Sequence, residues 1–232
     1  TLDTGRLEKI AGEENLRIEV LYRPGDFVIR QDTVLDIWGR QKVSEETIGK
    51  LQGCYAVGQH RTPHQNVLFL VDELVEIIAR ALSPGINDPF TAIICIDWLK
   101  ISLTDFALRE NGAEADRYHS SAIKVRSITF EEFVSAICDQ SKQYVCGDRN
   151  ASVHMIEVLA EAAALLPPGP RREVLMRSMR GMADGCAETL ATHEGGSEVS
   201  ELYKDSLRAL SDPDGFNMQR GTNRSAGGPT SA

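Results

Sequence analysis

The segment that decides the fold covers residues 80–92 and has the sequence RALSPGINDPFTA. It joins two strongly apolar parts of the chain. Pro84 and Gly85 are typical of a helix end. Asp88 followed by Pro89 is typical of a helix start, because an Asp N-cap accepts free backbone N–H groups and proline fits the first helical position. The segment therefore predicts a tight turn between two helices.

Most of the chain after residue 61 is predicted to be helical. Thr62, Pro63 and Gln65 form a capping-box pattern that opens the first long helix, which runs to about Leu82. The second helix starts at Pro89 and is apolar nearly all round, so we expect it to be central and buried. Further helices are predicted for residues 129–145, 150–166, 171–192 and 197–210.

The N-terminal part is predicted to be a small β module. LRIEVLY, residues 16–22, alternates apolar and charged side chains as a strand does. RPGD is a turn signal, and FVIRQDTVLDIW, residues 27–38, predicts two short strands. This order of a turn and short strands resembles the barrel-sandwich half-motif of biotinyl and lipoyl domains. Residues 16–39 contain no lysine for cofactor attachment, so we expect no cofactor.

These patterns together predict an α+β fold with three parts. Residues 1–60 form a small β-rich, barrel-sandwich-like module, which also carries a short helix from Ser44 to about Gln52. Residues 61–211 form a mainly α-helical bundle centred on the helix that starts at Pro89. Residues 111–120 are expected to be a loop and residues 122–128 a strand. The Gly/Ser/Thr-rich residues 212–232 are expected to be disordered.

Composition excludes several classes of protein. The chain has 232 residues, a 42% hydrophobic fraction and a net charge of −9, which argues against nucleic acid as a partner. No apolar run is long enough to cross a bilayer. The five cysteines form no CxxC pair, so we expect reduced thiols and a position on the cytoplasmic side. Because the chain begins at Thr1 without a methionine, we expect it to be part of a longer protein.

A metal site is not expected. His60 and His64 are four residues apart, a spacing that suits two ligands on one helix. The predicted helix starts between them, so they do not share a helical face, and no nearby Cys or His completes a ligand set. The sequence favours two polar residues at a strand-to-helix junction.

A polar stripe on the first long helix is the main candidate site. Asp72, Glu76 and Arg80 lie at successive i, i+4 positions. The stripe is either an exposed face or a polar seam inside the bundle. Arg80 lies next to the turn, so we expect a buried or half-buried guanidinium paired with Glu76 or Asp88.

The start of the second helix offers two interpretations. Free N–H groups at a helix N-terminus suit an anion, but the carboxylate of Asp88 already occupies that position, which favours a structural cap. No GxGxxG, GKS/T, GxSxG or HExxH motif is present, and no catalytic residue is predicted. The candidate cluster, for ligand binding or structural bracing, consists of Arg61, Glu76, Arg80, Asn87 and Asp88.

Three segments carry a resemblance to a known family. They are RPGDFV at 23–28, VGQHRTPHQ at 57–65 and ALSPGINDPFTA at 81–92. Their order resembles a bacterial family of predicted inner-membrane proteins, domain of unknown function 2254, over about residues 2–210. Glu76 and Arg80 also fall where that family carries an acid and an arginine. The resemblance implies the soluble C-terminal domain of an inner-membrane protein, whose partner is its own membrane-embedded N-terminal region.

Three functions are compatible with the sequence. The first is a domain that binds a ligand or regulates its membrane part. The second is an oligomerisation or assembly module that forms a homo-oligomer, with the polar cluster as internal braces. The third is an enzyme on a small acidic or lipid-derived substrate, with Glu76 or Asp88 as a base. The sequence favours the first function, and an open cavity lined by Arg61, Arg80 and Asp88 would support it.

Overall fold

The computed structural model describes residues 1–40, 42–61, 65–109, 116–120, 122–191 and 194–211. These residues divide into two compact units. The first unit holds the described residues of Thr1–Leu70 and Ala113–Thr129, and the second holds Val71–Arg109 and the described residues from Phe130 onward. Helices accompany a small mixed sheet, so the predicted α+β class is confirmed. The segment 212–232 lies outside the described residues.

The first unit is built around a four-stranded sheet with the strand order β2-β1-β4-β3. Strand β1 pairs antiparallel with β2 and parallel with β4, and β3 pairs antiparallel with β4. The elements of this unit are α1 (Thr4–Glu13), β1 (Arg17–Val20), β2 (Leu35–Trp38), α2 (Glu45–Gln52), β3 (Asp116–Ser120) and β4 (Ile123–Arg126).

One face of β1 forms the core of this unit, as the alternation of residues 16–22 predicts. Ile18 and Val20 are buried, in a cluster that includes Leu7 and Ile10 of α1. Glu19 points to the other face, where its carboxylate lies 3.1 Å from the Nζ atom of Lys124 on β4. The sheet is therefore apolar on one face and carries a cross-strand ion pair on the other.

The first unit differs from the prediction in four respects. Residues 27–38 contribute only β2, because Asp26 and Asp32 accept backbone N–H bonds from Arg23 and Ile29 and hold the preceding residues in turns. The strands form one open sheet, whereas the sequence predicted a barrel-sandwich-like arrangement. Helix α1 was not predicted, although Asp3 caps it by accepting a hydrogen bond from the Arg6 N–H group at 2.9 Å. The predicted loop 111–120 contains β3.

The second unit is a helical bundle centred on α6, which packs against four neighbours: α4, α5, α7 and α8. The prediction that α4 is the centre is wrong. Buried positions of α6 include Ala151, Ala160, Ala162 and Ala163, whose small side chains let neighbouring helices approach on several sides. The helices are α3 (Val67–Ala81), which begins in the first unit, α4 (Pro89–Leu108), α5 (Phe130–Val145), α6 (Arg149–Ala164), α7 (Pro170–Thr189) and α8 (Glu194–Ser211).

Helix α4 starts as predicted but is buried on one face only. The Asp88 side chain caps it by accepting a hydrogen bond from the Thr91 N–H group at 3.2 Å. Its opposite face is exposed, so the prediction of burial all round is wrong there. The buried residues are Ala92, Cys95, Ile96, Leu99, Leu103 and Ala107. The exposed apolar residues are Phe90, Ile94, Trp98, Ile101 and Leu108.

Two ion pairs join α4 to α6. The Nε2 atom of His154 lies 2.7 Å from Oδ1 of Asp97, and Lys100 pairs with Glu161. Glu157 approaches the other ring nitrogen of His154 at 3.7 Å. The pKa of His154 is raised by its hydrogen bond to Glu157 and, to a smaller extent, by Asp97, although burial opposes the shift.

The raised pKa of His154 predicts that the stability of the bundle depends on pH. Because the folded pKa lies above the unfolded value of about 6.5, the stabilisation is fully present below about pH 6.5 and is lost as the pH rises through the folded pKa. We expect His154→Gln to remove this pH-dependent part, at most about 1 kcal/mol of unfolding free energy. Urea unfolding of the wild-type protein and the variant, from below about pH 6.5 upward, measures how the unfolding free energy depends on pH. An unchanged pH slope in the variant would contradict the assignment.

A disulfide links Cys146, just after α5, to Cys186 on α7. This corrects the expectation that all five thiols are reduced. The two cysteines are 40 residues apart in sequence, so no local spacing signals the bond. The other three cysteines, Cys54, Cys95 and Cys138, are buried and form no disulfide. All five cysteines lie in the described part of the chain.

The disulfide predicts a specific thiol count. Alkylation of the denatured chain without a reductant should label Cys54, Cys95 and Cys138, and prior reduction should add Cys146 and Cys186. Reduction should also lower the unfolding free energy by about 4 kcal/mol, the value expected for opening a loop of this length. Intact mass spectrometry counts the labels. Five labels without reductant would exclude the bond.

Candidate functional site

A cavity of about 870 Å³ lies in the first unit. We call it the first-unit cavity. Its wall combines residues 1–2, the loop between β1 and β2, β2 itself, α2 and the segment 55–61. The lining residues are Thr1, Leu2, Tyr22, Arg23, Pro24, Gly25, Asp26, Phe27, Val28, Val34, Leu35, Ile37, Ile48, Leu51, Gln52, Tyr55, Ala56, Val57, Gly58, Gln59, His60 and Arg61.

The RPGD turn forms one side of the cavity through a close contact that only glycine permits. The carboxylate of Asp26 accepts a hydrogen bond from the Arg23 N–H group at 2.7 Å, which closes the turn. Gly25 has a φ of 97°, a left-handed value that favours glycine. A Cβ atom at this position would lie 1.9 Å from Nδ2 of Asn66. The turn and Asn66 are therefore packed directly against each other.

Asn66 and Gln65 anchor the segment that follows the cavity wall. Asn66 is only 6% exposed, and its Oδ1 atom accepts a hydrogen bond from the Phe69 N–H group at 3.2 Å. The side-chain amide of Gln65 accepts from the Leu2 N–H group and donates to the Leu2 carbonyl, both at 3.0 Å. These contacts tie the chain before α3 to the N-terminal segment.

The same contacts explain why α3 begins later than predicted. It starts at Val67, after the cap formed by Asn66, and Gln65 has a left-handed φ of 62° rather than a first-turn conformation. The predicted N-cap Thr62 lies outside the described residues. Gln65 bonds to Leu2 instead of serving as a capping-box partner, because a partner distant in sequence competes for its amide.

The polar part of the cavity wall carries more positive than negative groups. Among the described residues, the guanidinium groups of Arg23 and Arg61 line it together with one carboxylate, that of Asp26, which bonds within its own turn. The guanidinium of Arg61 lies 5.3 Å from the centre of the Phe69 ring, a cation–π contact that orients it. In a chain of net charge −9, this wall is a local exception.

Tyr55 also lines this wall. Its hydroxyl is buried and has no hydrogen-bond partner among the described residues. Burial raises the pKa of Tyr55 well above its ordinary value, so the phenol stays protonated and keeps a hydrogen to donate. Its backbone pairs with Leu2 in an isolated antiparallel bridge, which fixes its position.

The structure places the predicted polar cluster in two different units. Arg61 lines the first-unit cavity, whereas Glu76, Arg80, Asn87 and Asp88 belong to the second unit. Glu76 and Arg80 form the expected ion pair, but the Arg80 side chain is 73% exposed, so its predicted burial is wrong. An exposed pair of this kind contributes at most about 1 kcal/mol.

The turn before α4 has a structural explanation. Asp88 accepts hydrogen bonds from the Thr91 N–H group and from the Thr91 hydroxyl, the latter at 2.6 Å, and these bonds lower its pKa. Asn87 adopts a left-handed φ of 50°, which closes the turn. These contacts suit the capping interpretation, and a ligand role for Glu76, Arg80, Asn87 and Asp88 stays a prediction.

Within the described ranges, no group of three or more His, Cys, Asp or Glu side chains is placed to hold a metal ion. His64 lies outside those ranges. Neither Tyr55 nor Asn66 was predicted to be a site residue, because neither belongs to a motif that the sequence shows. The RPGD turn was visible, but its contact with Asn66 was not.

The family model with the description "Predicted membrane protein (DUF2254)" matches residues 1–161, more than half of the chain. The chain belongs to this family. All residues that line the first-unit cavity lie inside the matched range, which ends within α6 and does not reach the expected Leu210. No curated protein and no solved structure matches the chain. Among the described residues, no helix is both long and apolar enough to cross a membrane.

The Gly25 contact predicts a strong effect of a single methyl group. Gly25→Ala places a Cβ atom against Asn66 at an unfavourable φ, so we expect a loss of roughly 1–3 kcal/mol of unfolding free energy. Gly49→Ala is the matched control. Gly49 lies in α2 with open space around it, and alanine there should stabilise by about 0.5–1 kcal/mol. Chemical denaturation compares the two. Equal effects would show that the Gly25 contact is unimportant.

Proposed function

We propose that this domain binds a small amphiphile, with an apolar body and an anionic head group, in the first-unit cavity. Binding would regulate the membrane part of the same DUF2254-family protein. The observation that carries the proposal is the large, mostly apolar cavity, whose lining includes Tyr55, a residue with a buried hydroxyl that has no hydrogen-bond partner among the described residues. The family membership supports an association with a membrane.

The size and lining of the cavity favour a ligand of this class. Small-molecule sites typically have volumes of about 300–1,000 Å³ and are mostly apolar with a few polar groups. The first-unit cavity fits this description. Its apolar lining includes Leu2, Val34, Leu35, Ile37 and Leu51. An extended apolar chain would bury its surface there.

The polar groups favour a negative head group. Arg23 and Arg61 bring guanidinium groups to the wall, and guanidinium matches carboxylate and phosphate oxygens. Tyr55 offers a neutral donor, since its raised pKa keeps the phenol protonated. A buried donor without a partner costs about 1–3 kcal/mol, so a ligand oxygen that accepts its hydrogen would recover that energy.

We further propose that the protein lies in a bacterial inner membrane. The expected cytoplasmic position rested on reduced thiols, and the Cys146–Cys186 disulfide removes that support. Disulfides persist in oxidising compartments and are rare in the cytosol. The thiol state of the protein in its native cells therefore decides which side of the membrane the domain occupies.

Binding of a dansylated fatty acid tests the ligand class. We expect saturable fluorescence enhancement, displacement by oleate and by lysophosphatidic acid, and much weaker displacement by the uncharged methyl ester of oleate. Tyr55→Phe should weaken binding about tenfold, the effect of losing one hydrogen bond to a charged group. The same substitution should raise the melting midpoint of the free protein, because it removes the unsatisfied hydroxyl.

Two controls make this experiment decisive. Arg61→Gln should weaken binding of the acid but not of the ester, whereas Arg80→Gln, at an exposed pair in the second unit, should leave both unchanged. Tyr55→Phe should raise the melting midpoint of the free protein and lower its affinity for the fatty acid. A residue that only packs in the core would not change these two quantities in opposite directions. No saturable binding, or equal binding by Tyr55→Phe, would reject the proposal.

A further inference from the structure

The exposed apolar face of α4 is not part of the proposed ligand site. We infer that two copies of the chain form a dimer through this face, with their α4 helices antiparallel. Five large apolar side chains lie on this face, and we call them the α4 stripe: Phe90, Ile94, Trp98, Ile101 and Leu108. Phe90 is 76% exposed and Trp98 is 59% exposed. Nothing in this inference depends on the first-unit cavity.

The first four members of the stripe, Phe90 to Ile101, follow each other at spacings of three or four residues, and Leu108 lies two turns further along, beyond Asp105. With about 100° of rotation per residue, its five positions fall within a sector of about 80°, opposite the buried face of α4. Phe90 and Leu108 are 18 residues apart, which corresponds to a length of about 27 Å. Isolated exposed apolar residues are ordinary, but four of them in a row over three helical turns, from Phe90 to Ile101, mark an interaction surface.

The stripe is held in a fixed orientation. Asp97 and Lys100 on one flank of α4 pair with His154 and Glu161 on α6. At the C-terminal end, Arg171 donates hydrogen bonds to the carbonyl oxygens of Ala107 and Arg109 at 2.7 and 2.8 Å. A preformed surface pays little ordering entropy on association, which favours binding.

The area and spacing favour a second copy as the occupant. The stripe exposes roughly 500–600 Å² of apolar side chain, and with its borders it approaches the roughly 800 Å² that each partner buries in a standard interface. A twofold axis between Trp98 and Ile101 places Phe90 opposite Leu108 of the other copy and buries the whole stripe. Antiparallel helix dipoles also attract each other.

The charges beside the stripe disfavour a lipid surface. Membrane-surface helices carry Lys and Arg along the polar border of their apolar face. Here Asp97 borders the stripe, and Asp105 lies within its sector between Ile101 and Leu108. Lys100 pairs with Glu161, and Arg109 pairs with Asp105. The chain as a whole has a net charge of −9. An anionic bilayer would therefore repel this face, whereas a second α4 stripe offers an apolar partner.

Sedimentation equilibrium of the chain measures the association. We expect a dimer at micromolar concentrations, and Ile101→Glu should raise its dissociation constant at least tenfold. Leu165→Glu is the matched control, because Leu165 is also an exposed apolar residue of this unit, 46% exposed, but lies outside the stripe. It should change the dissociation constant less than twofold. Circular dichroism of both variants confirms that they fold.

Cysteine cross-linking tests the direction of pairing. A mixture of Phe90→Cys and Leu108→Cys proteins should form a mixed disulfide dimer, and neither protein should cross-link well alone, because like positions lie about 27 Å apart in an antiparallel pair. Efficient self-linking of Phe90→Cys would overturn the antiparallel arrangement. A monomer at about 100 µM, or a dimer indifferent to Ile101→Glu, would overturn the inference. So would a monomer whose stripe binds phosphatidylglycerol vesicles, since the occupant would then be lipid.

Discussion

The parallel pairing of β1 with β4 is the constraint on which the organisation of the chain depends. Ile18 on β1 lies beside Ile123 on β4, and both are buried at the centre of the first core. Parallel strands cannot be joined by a hairpin, so the chain must make a long crossover between them. Here the crossover is about 100 residues long and contains α3 and α4. The first unit is therefore discontinuous in sequence, and the second unit begins inside the crossover.

Local features were predictable because they depend on residues a few positions apart. The Ser44 cap of α2, the Asp88 cap of α4 and the alternation in β1 all follow from such neighbours. Features set by distant contacts were not predictable. The apolar composition of α4 cannot reveal that α6 covers only one of its faces, and the position of Arg80 on an otherwise apolar helix cannot reveal its exposure.

The candidate site was only partly visible in the sequence for the same reason. The RPGD segment and the segment before α3 were recognised separately, as turn and junction. Their meeting at Gly25 and Asn66 depends on the folded sheet and on the bond between Gln65 and Leu2. No sequence pattern marks Tyr55. Its interest comes from its buried hydroxyl, which has no hydrogen-bond partner within the described residues, and this depends on the folded structure. Arg61 is the predicted residue that the structure brings to the cavity.

The Cys146–Cys186 disulfide encloses the whole of α6 in a covalent loop. The turn between α6 and α7 lies inside this loop, and its residues Pro167 and Pro168 are exposed. A protease that cuts the turn would leave both fragments linked through α5 and α7. The nicked chain would run as one band on electrophoresis until a reductant separated it. Because the disulfide keeps the two fragments joined, the bundle can tolerate a cut in the chain beside its central helix.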